Sequence, residues 1–540
     1  MIKTCTITSK FESFKSLQNR ENVFHIEDYI QIPSLSEARE MTDDIYYQNN
    51  DFISEHEYKG YKITWSWYSD IFQFCINYLE IKSLIQVIDE QNFQNIKIED
   101  ISPQYSKVLK IFFFNTNVIS NPPKNLLFNN IKQIFFNALV LLYSLISMVF
   151  FILRPGLSIG TYTGDFVYKS TKSDFRLNHL YEKYAENKVQ YIEFIRITKI
   201  KNFFFNIFKR KRFAIYYTSI IFFIDLFFNK KKYHKQPKNF YESIIYRYHN
   251  TNLVFNKSTS IIEILLKVLK IKSFVLISFS SRSAHLAIAA KSLGIKTIGI
   301  MHGLQQKEDS VYEFMESYSE RKKIGCDIYG VWSLHYLEYY KRYCKIMDSE
   351  NIKYSGLLRP ISNNFKSLKS FQRISITSIK VLVISELHVS VSEIIPFLNS
   401  LLKHDDIEAS IKVRPMIKDS YYEDMKAVFP LSNNFKVFDG KIEDVANEFD
   451  VFIGSNSSAV IEASLFGKIS ILLNTKKFGD YFDMDNILEG QPLLVRDSEL
   501  LYEYIVDRVN NEHSLNTIEI IRKRFFGENE DGAQWLVEQL

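Results

Sequence analysis

Four cysteines in 540 residues, Cys5, Cys75, Cys326 and Cys344, include no CxxC pair. That excludes a disulfide framework and a cysteine zinc site, and it fits a reducing compartment. A strong charge of one sign is also missing. Net charge +5 and pI 8.6 are too weak to imply a nucleic-acid partner. The first residues, MIKTCTITSKFESF, lack an apolar core of signal-peptide length, so the N-terminus is expected to stay uncleaved. Glycine (17) and proline (11) are scarce beside 45 phenylalanines and 33 tyrosines, a bias of the kind AT-rich coding produces. With 46% hydrophobic and 24% charged residues the chain reads as globular, and 540 residues exceed what one core supports. Two or more domains are expected.

The most informative stretch is Phe449 to Leu473, FDVFIGSNSSAVIEASLFGKISILL. An apolar run at Val451 to Ile453 stops at Gly454-Ser455-Asn456-Ser457-Ser458, and helical spacing then runs from Ala459 through Leu465 to Gly467. A second apolar run, Ile469 to Leu473, completes a βαβ unit with parallel strands. Its loop falls at the carboxyl edge of a sheet, where ligands of open α/β sheets bind. Backbone N–H groups and the helix dipole favour an anion there, and Ser457 and Ser458 add hydroxyl donors, so phosphate is the expected guest. Glu462, one turn later, is placed to accept hydrogen bonds from a ribose. A plain helix cap at Ser457 or Ser458 with a solvated Glu462 is the structural alternative.

Ser273 to Gly303 repeats the pattern: a strand at Phe274 to Phe279, a polar loop with Ser281 and Arg282, a helix from Ala284 to Leu293, and a strand from Ile295 to Met301. That strand delivers His302 to its carboxyl edge, a residue type suited to general-base work near neutral pH. Asp327 to Trp332 and Ile352 to Arg359 read as further strands, with Ser333 to Lys345 helical between them. The polar, basic Asn363 to Ser378 reads as a linker, which divides the chain into residues 1–370 and 371–540. The second part opens with a strand at Val381 to Ser385 whose edge carries Glu386 and His388. A further strand ends at Arg414, whose planar fork suits phosphate. The fold class is α/β, two Rossmann-like domains, with Ser281, Arg282, Glu386 and His388 expected near a cleft between them.

Before residue 120 the reading gives strands at Ile2 to Ile7, Val23 to Ile26 and Ile96 to Ile98, an apolar run at Leu109 to Phe114, and one helix over Ile71 to Ile88. Ile134 to Leu153 carries no charge and has the length of a bilayer span. Phe203 to Phe208 and Phe213 to Phe228 are apolar and aromatic, flanked by Lys209 to Arg212 and Lys230 to Lys232, which suits an anionic membrane surface. A span, a shallow insertion and a buried core helix all remain open, with peripheral attachment favoured because a single span would separate parts of one sheet.

The runs GIKTIGIMHG, DIYGVWS, KYSGLLRP and IKVRP, followed by the Phe449 to Leu473 stretch, resemble the two-domain GT-B glycosyltransferases of bacterial surface polysaccharide synthesis. The group includes capsule and teichoic-acid polymerases and sialyl- and Kdo-transferases. The resemblance covers about Ser273 to Leu473 and rests on order and spacing. It implies a nucleotide-sugar donor as substrate, held by Ser457, Ser458 and Glu462, and His302 facing the reaction centre. Arg414-Pro415 stands where many of these families have His-Pro, which leaves the donor-phosphate contact open. It further implies metal-independent transfer without a cofactor to a glycan or lipid-linked acceptor, and the basic, aromatic segments add the expectation of a cytoplasmic enzyme attached peripherally to the inner face of the membrane. Asp483-Met484-Asp485 spells DxD but follows no clear strand and is not expected to bind metal. A nucleotide-sugar epimerase of similar architecture and a non-catalytic scaffold or glycan-binding protein are the rival readings.

Overall fold

The computed structural model describes residues 3–9, 22–120, 126–154, 158–163, 175–195, 203–204, 213–227, 235–251, 255–277, 283–306, 311–359, 378–386, 389, 391–413, 425, 436–438, 442–476, 478–487, 493–511, 514–528 and 530–540. Among these, three parallel sheets lie along the chain, with one short antiparallel hairpin at Glu57–Tyr58 and Tyr61–Lys62. The first sheet has four strands, β1 (Thr4–Thr8), β2 (Val23–His25), β3 (Asn95–Glu99) and β4 (Asn117–Ser120), in the order β2-β1-β3-β4.

The middle sheet contains β5 (Ser158–Thr163), β6 (Gln190–Ile195), β7 (Ala214–Ile215), β8 (Ser273–Leu276), β9 (Lys296–Ile300), β10 (Ile328–Val331) and β11 (Ile352–Tyr354), ordered β11-β10-β9-β8-β5-β6-β7. The third contains β12 (Ile379–Ile384), β13 (Ile407–Lys412), β14 (Lys436–Phe438), β15 (Val451–Gly454), β16 (Ile469–Leu473) and β17 (Leu494–Val495), ordered β14-β13-β12-β15-β16-β17. In both, the chain starts in the middle, winds to one edge, returns and winds to the other. This is the doubly wound Rossmann order, and its switch points lie between β5 and β8 and between β12 and β15. Strands such as β16 are buried along their whole length because helices cover both faces, which is why they read as largely apolar runs, the one polar side chain of β16, Ser470, donating to the Val460 carbonyl at 2.7 Å.

The two expected Rossmann-like units are therefore present, and the N-terminal segment adds a separate parallel sheet. It docks on the middle unit through Lys59 Nζ to Glu263 at 2.7 Å and Arg39 to Glu316 at 3.0 Å. Two local expectations change. The helix expected over Ile71 to Ile88 is two helices, Tyr68–Glu80 and Lys82–Glu90, bent by 64° around Ile81. Apolar spacing continues through the bend because both helices face one core, where Ile81 is fully buried. The Leu109 to Phe114 run belongs mostly to a helix, Pro103–Phe112, started by Pro103 and by Ser102, whose side chain accepts from Tyr105 N–H. The basic runs 209–212 and 230–232 and nearly all of the linker lie outside the described residues.

The Ile134 to Leu153 stretch forms most of α1 (Leu126–Ile152), which packs beside β7 and α2 (Tyr217–Phe227), while α3 (Ala284–Ser292) connects β8 to β9. The end of the chain leaves the third sheet. Helices α6 (Ser514–Phe526) and α7 (Gly532–Glu538) cross back, and α7 joins the core of the middle sheet through Ala533 and Leu536. Asp531 caps α7, accepting from Ala533 and Gln534 N–H at 3.1 and 3.0 Å, and it pairs with His179 Nε2 at 2.9 Å.

Candidate active site

At the third sheet's switch point, β15 ends in Gly454 and the chain turns through Ser455, Asn456 and Ser457 into α5 (Ser458–Glu462). Strand, loop, helix and second strand follow the sequence closely, and Gly467 ends the helical segment at φ +62°, a left-handed conformation glycine adopts without strain. The loop is an anion site, but its anion comes from the chain itself. Glu386, just after β12, is 2% exposed, and its Oε1 accepts from the N–H groups of Ser455, Asn456 and Ser457 at 2.6, 3.2 and 3.4 Å. The expected delivery of these N–H groups to phosphate is thus corrected: a buried carboxylate fills the nest they form. Gly454 is required beside it, because a Cβ there would lie 2.8 Å from Glu386 Oε1 and 2.7 Å from Val460 Cγ2.

Ser457 stands at the N-cap without a side-chain cap bond, and Ser458 Oγ donates to Glu462 Oε1 at 3.1 Å. Ser458 and Glu462 thus act on each other across one helical turn, half-buried. His302 follows β9 and Met301 and is half-buried, and Trp332 Nε1 donates to the Met301 carbonyl at 2.7 Å, bracing that strand end. Ser281, Arg282, His388 and Arg414 lie outside the described residues. Of the DxD spelling, Asp483 pairs with Arg524 at 2.9 Å and Asp485 pairs with Arg496, so both carboxylates serve local ion pairs.

A cavity of about 620 Å³ lies between the middle and third units. The middle unit contributes Gln306, beyond His302, and one face of α4 (Leu334–Tyr343): His335, Glu338, Tyr339, Arg342 and Tyr343. The third unit contributes Phe478, Asp480, Tyr481 and Asp483, after β16, and Ser34 to Ser36 of the N-terminal unit close one side. Ring pairs form part of its walls, Tyr339 with Tyr343 at 4.8 Å and Phe478 with Tyr481 at 5.5 Å between centroids. Burial foremost, then the Arg524 guanidinium, pushes the His335 imidazole down to about 4 against the pull of Asp483, so it is neutral at pH 7. Burial raises the Asp480 carboxyl, with Asp485 and Asp483 adding, although the N–H groups of Met484 and Asp485 oppose this at 2.7 and 2.9 Å. Aromatic faces suit a base or sugar ring, and Arg342 offers a guanidinium for phosphate.

No family model matches the chain, and no curated protein matches it. Similar solved structures include a glycosyltransferase from Rickettsia africae, 12% identical, covering 72% of this chain and 97% of that one with TM-score 0.44. A UDP-GlcNAc 2-epimerase from Neisseria meningitidis bound to UDP-GlcNAc is 11% identical, with coverage of 71% and 99% and TM-score 0.45. The spinosyn rhamnosyltransferase SpnG, complexed with thymidine diphosphate, is 8% identical, with coverage of 71% and 100% and TM-score 0.42. At these identities and TM-scores the likeness assigns no activity.

None of His302, Ser457, Ser458, Glu462 and Glu386 lines this cavity, which sequence reasoning missed. One signal was present. In LHYLEYYKRY, His335, Glu338, Tyr339, Arg342 and Tyr343 recur at three- and four-residue spacing, which puts them on one helix face. Histidine burial also sets an acid response. Burial pushes His285 down to about 4, and His249, with His56 adding, and His335 shift the same way. Each contributes stability that is fully present above pH 6.5 and is lost as pH falls toward 4, because the unfolded chain binds the proton first. For buried His285 the slope is about 1.4 kcal/mol per pH unit in that window. Urea midpoints are expected to fall between pH 7 and pH 5, less steeply in His285→Gln.

Proposed function

We propose that this chain is a GT-B type glycosyltransferase that moves a sugar, or a related phospho-polyol, from a nucleotide-activated donor to a surface polysaccharide or lipid-linked acceptor, at the inner face of the cytoplasmic membrane. The observation carrying this reading is the cavity of about 620 Å³ between two units built on Rossmann-ordered sheets. In the reading, the third unit holds the donor and the middle unit presents the acceptor. The base is held by the aromatic walls of the cavity, the phosphate and ribose reach beyond its lining to Ser457, Ser458 and Glu462, and His302, also outside that lining, takes the proton of the attacking hydroxyl. Because Glu386 already places negative charge under the Ser455–Ser457 loop, the phosphate charge falls to Arg414 and to Arg342 on the cavity wall. The transfer is proposed to need neither a metal nor a cofactor, and Asp483 and Asp485 are given structural roles in their arginine pairs.

The test supplies nucleotide sugars to purified protein with and without a membrane fraction containing acceptor. Acceptor-dependent release of the nucleotide is expected, reduced about 100-fold or more in His302→Ala while nucleotide binding survives. Interconversion of the sugar nucleotide without any acceptor would identify an epimerase instead. Binding of a sugar nucleotide or glycan with no turnover, unchanged by His302→Ala, would identify a non-catalytic protein.

A further inference from the structure

In α1 the usual polarity of a surface helix is inverted. Its protein-facing side carries the polar residues Asn137, Ser144 and Ser147 together with Val140, Met148 and Phe151, all buried. On the outward side Phe135, Leu142, Leu145, Ile146, Val149 and Phe150 are 47% to 74% exposed, and the uncharged stretch runs to Leu153. A helix facing water places its polar residues outward. This one does the reverse over a segment, Lys132–Ile152, whose length and composition would suffice to cross a membrane.

The inward face is committed to the fold. Tyr216 N–H donates to Ser144 Oγ at 3.1 Å, and Gln190 Nε2 donates to the Phe151 carbonyl at 2.9 Å, tying the helix to β7 and β6. Val140 lies in a buried cluster with Ile195, Phe203, Ala214 and Tyr216, and Phe151 enters the main core. A helix crossing a bilayer would surrender these contacts and leave the edge strand β7 uncovered. Exposed cations stand at both ends of the apolar stretch, Lys132 and Arg154, and Phe204 and Leu226 extend the exposed apolar surface at the neighbouring segments. In sequence, the basic runs 209–212 and 230–232 follow Phe204 and Leu226 by five and four residues.

We infer that the outward face of α1 lies in one leaflet of a phospholipid membrane bearing anionic headgroups, parallel to its surface, while the inward face stays packed on the middle sheet. Terminal cations match the headgroups and the aliphatic and phenyl side chains match the acyl boundary. The inference deepens the membrane placement in the proposed function and rests on that part alone: it holds or fails whether or not the cavity binds a nucleotide.

Flotation of the full chain with vesicles tests it. Wild-type protein is expected to float with phosphatidylcholine vesicles containing phosphatidylglycerol, and less with phosphatidylcholine alone. The double substitution Leu145→Glu/Val149→Glu, on exposed positions, is expected to keep the fold by circular dichroism. It should weaken flotation at least about tenfold, since each methylene withdrawn from lipid weakens partition roughly fourfold. The four native cysteines are buried, so single substitutions Lys132→Cys and Arg154→Cys report position. Both should react with a membrane-impermeant maleimide from the outside of sealed vesicles. Equal flotation of the double variant overturns the inference, as does protection of one of the two labels, which marks a span. Absence of flotation with concentration-dependent dimerisation lost in the double variant also overturns it, because a second copy would then cover the face.

Discussion

Replacing Glu386 by alanine is expected to unfasten the Ser455–Ser457 loop and to destabilise the third unit by about 3 kcal/mol or more, because N–H groups buried under the loop lose their acceptor. The loss is ranked by geometry. Ser455, 2% exposed with the 2.6 Å bond, loses most, and half-buried Asn456 recovers part of its bond from water. Glu386→Gln keeps an acceptor oxygen but removes the charge that the N–H nest and the adjacent helix end favour, so an intermediate cost is expected. Hydrogen exchange at these three amides and urea unfolding report the two effects. Wild-type exchange in Glu386→Ala would show that another group holds the loop.

Gly356→Ala should be at least as damaging, for a different reason. Gly356 sits at φ +81°, and a Cβ there would lie 2.4 Å from the Glu530 carbonyl oxygen, a backbone atom with no rotamer in which to retreat. The contact is the seam where the chain end rejoins the middle sheet. Leu357 N–H donates to Glu530 O at 3.0 Å and Gly532 N–H to Leu357 O at 2.8 Å. Left-handed backbone alone costs an alanine about 1–2 kcal/mol, and the overlap forces the seam to open on top of that. Residues 530–540 should detach, so that Ser273 Oγ and Lys296 Nζ lose their bonds to the carbonyls of Leu540 and Gln539. Amide hydrogen exchange across residues 530–540 should then be faster than in the wild type. Exchange at the wild-type rate would mean that the seam absorbs the methyl group.

How much was legible follows from how local each signal is. Strand β16 and the turn at Gly467 were readable because a fully buried parallel strand is a run of apolar residues and a left-handed helix end favours glycine. His302 was placed at a strand end by the same logic. The anion character of the Ser455–Ser457 loop was readable too, but not its occupant, since Glu386 is brought there from 69 residues upstream by the pairing of β12 with β15. The cavity was missed because its walls come from three units. No sequence window contains Ser36, Arg342 and Tyr481 together. The break at Ile81 was hidden because apolar periodicity reports which face is buried and is silent on whether the backbone bends between two turns.

The measurement closest to the central claim, a nucleotide site between the two Rossmann-ordered sheets, is thermal unfolding with CMP, CDP, UDP or GDP, on wild type and on Glu338→Trp. Glu338 is exposed on the α4 wall of the cavity, so a tryptophan there narrows the space without disturbing the core. One nucleotide is expected to stabilise the wild type, by about 2.7 kcal/mol at a hundredfold excess over its Kd, and to lose most of that effect in the variant. Stabilisation by none of the four in well-folded protein, or full stabilisation of Glu338→Trp, would contradict the account.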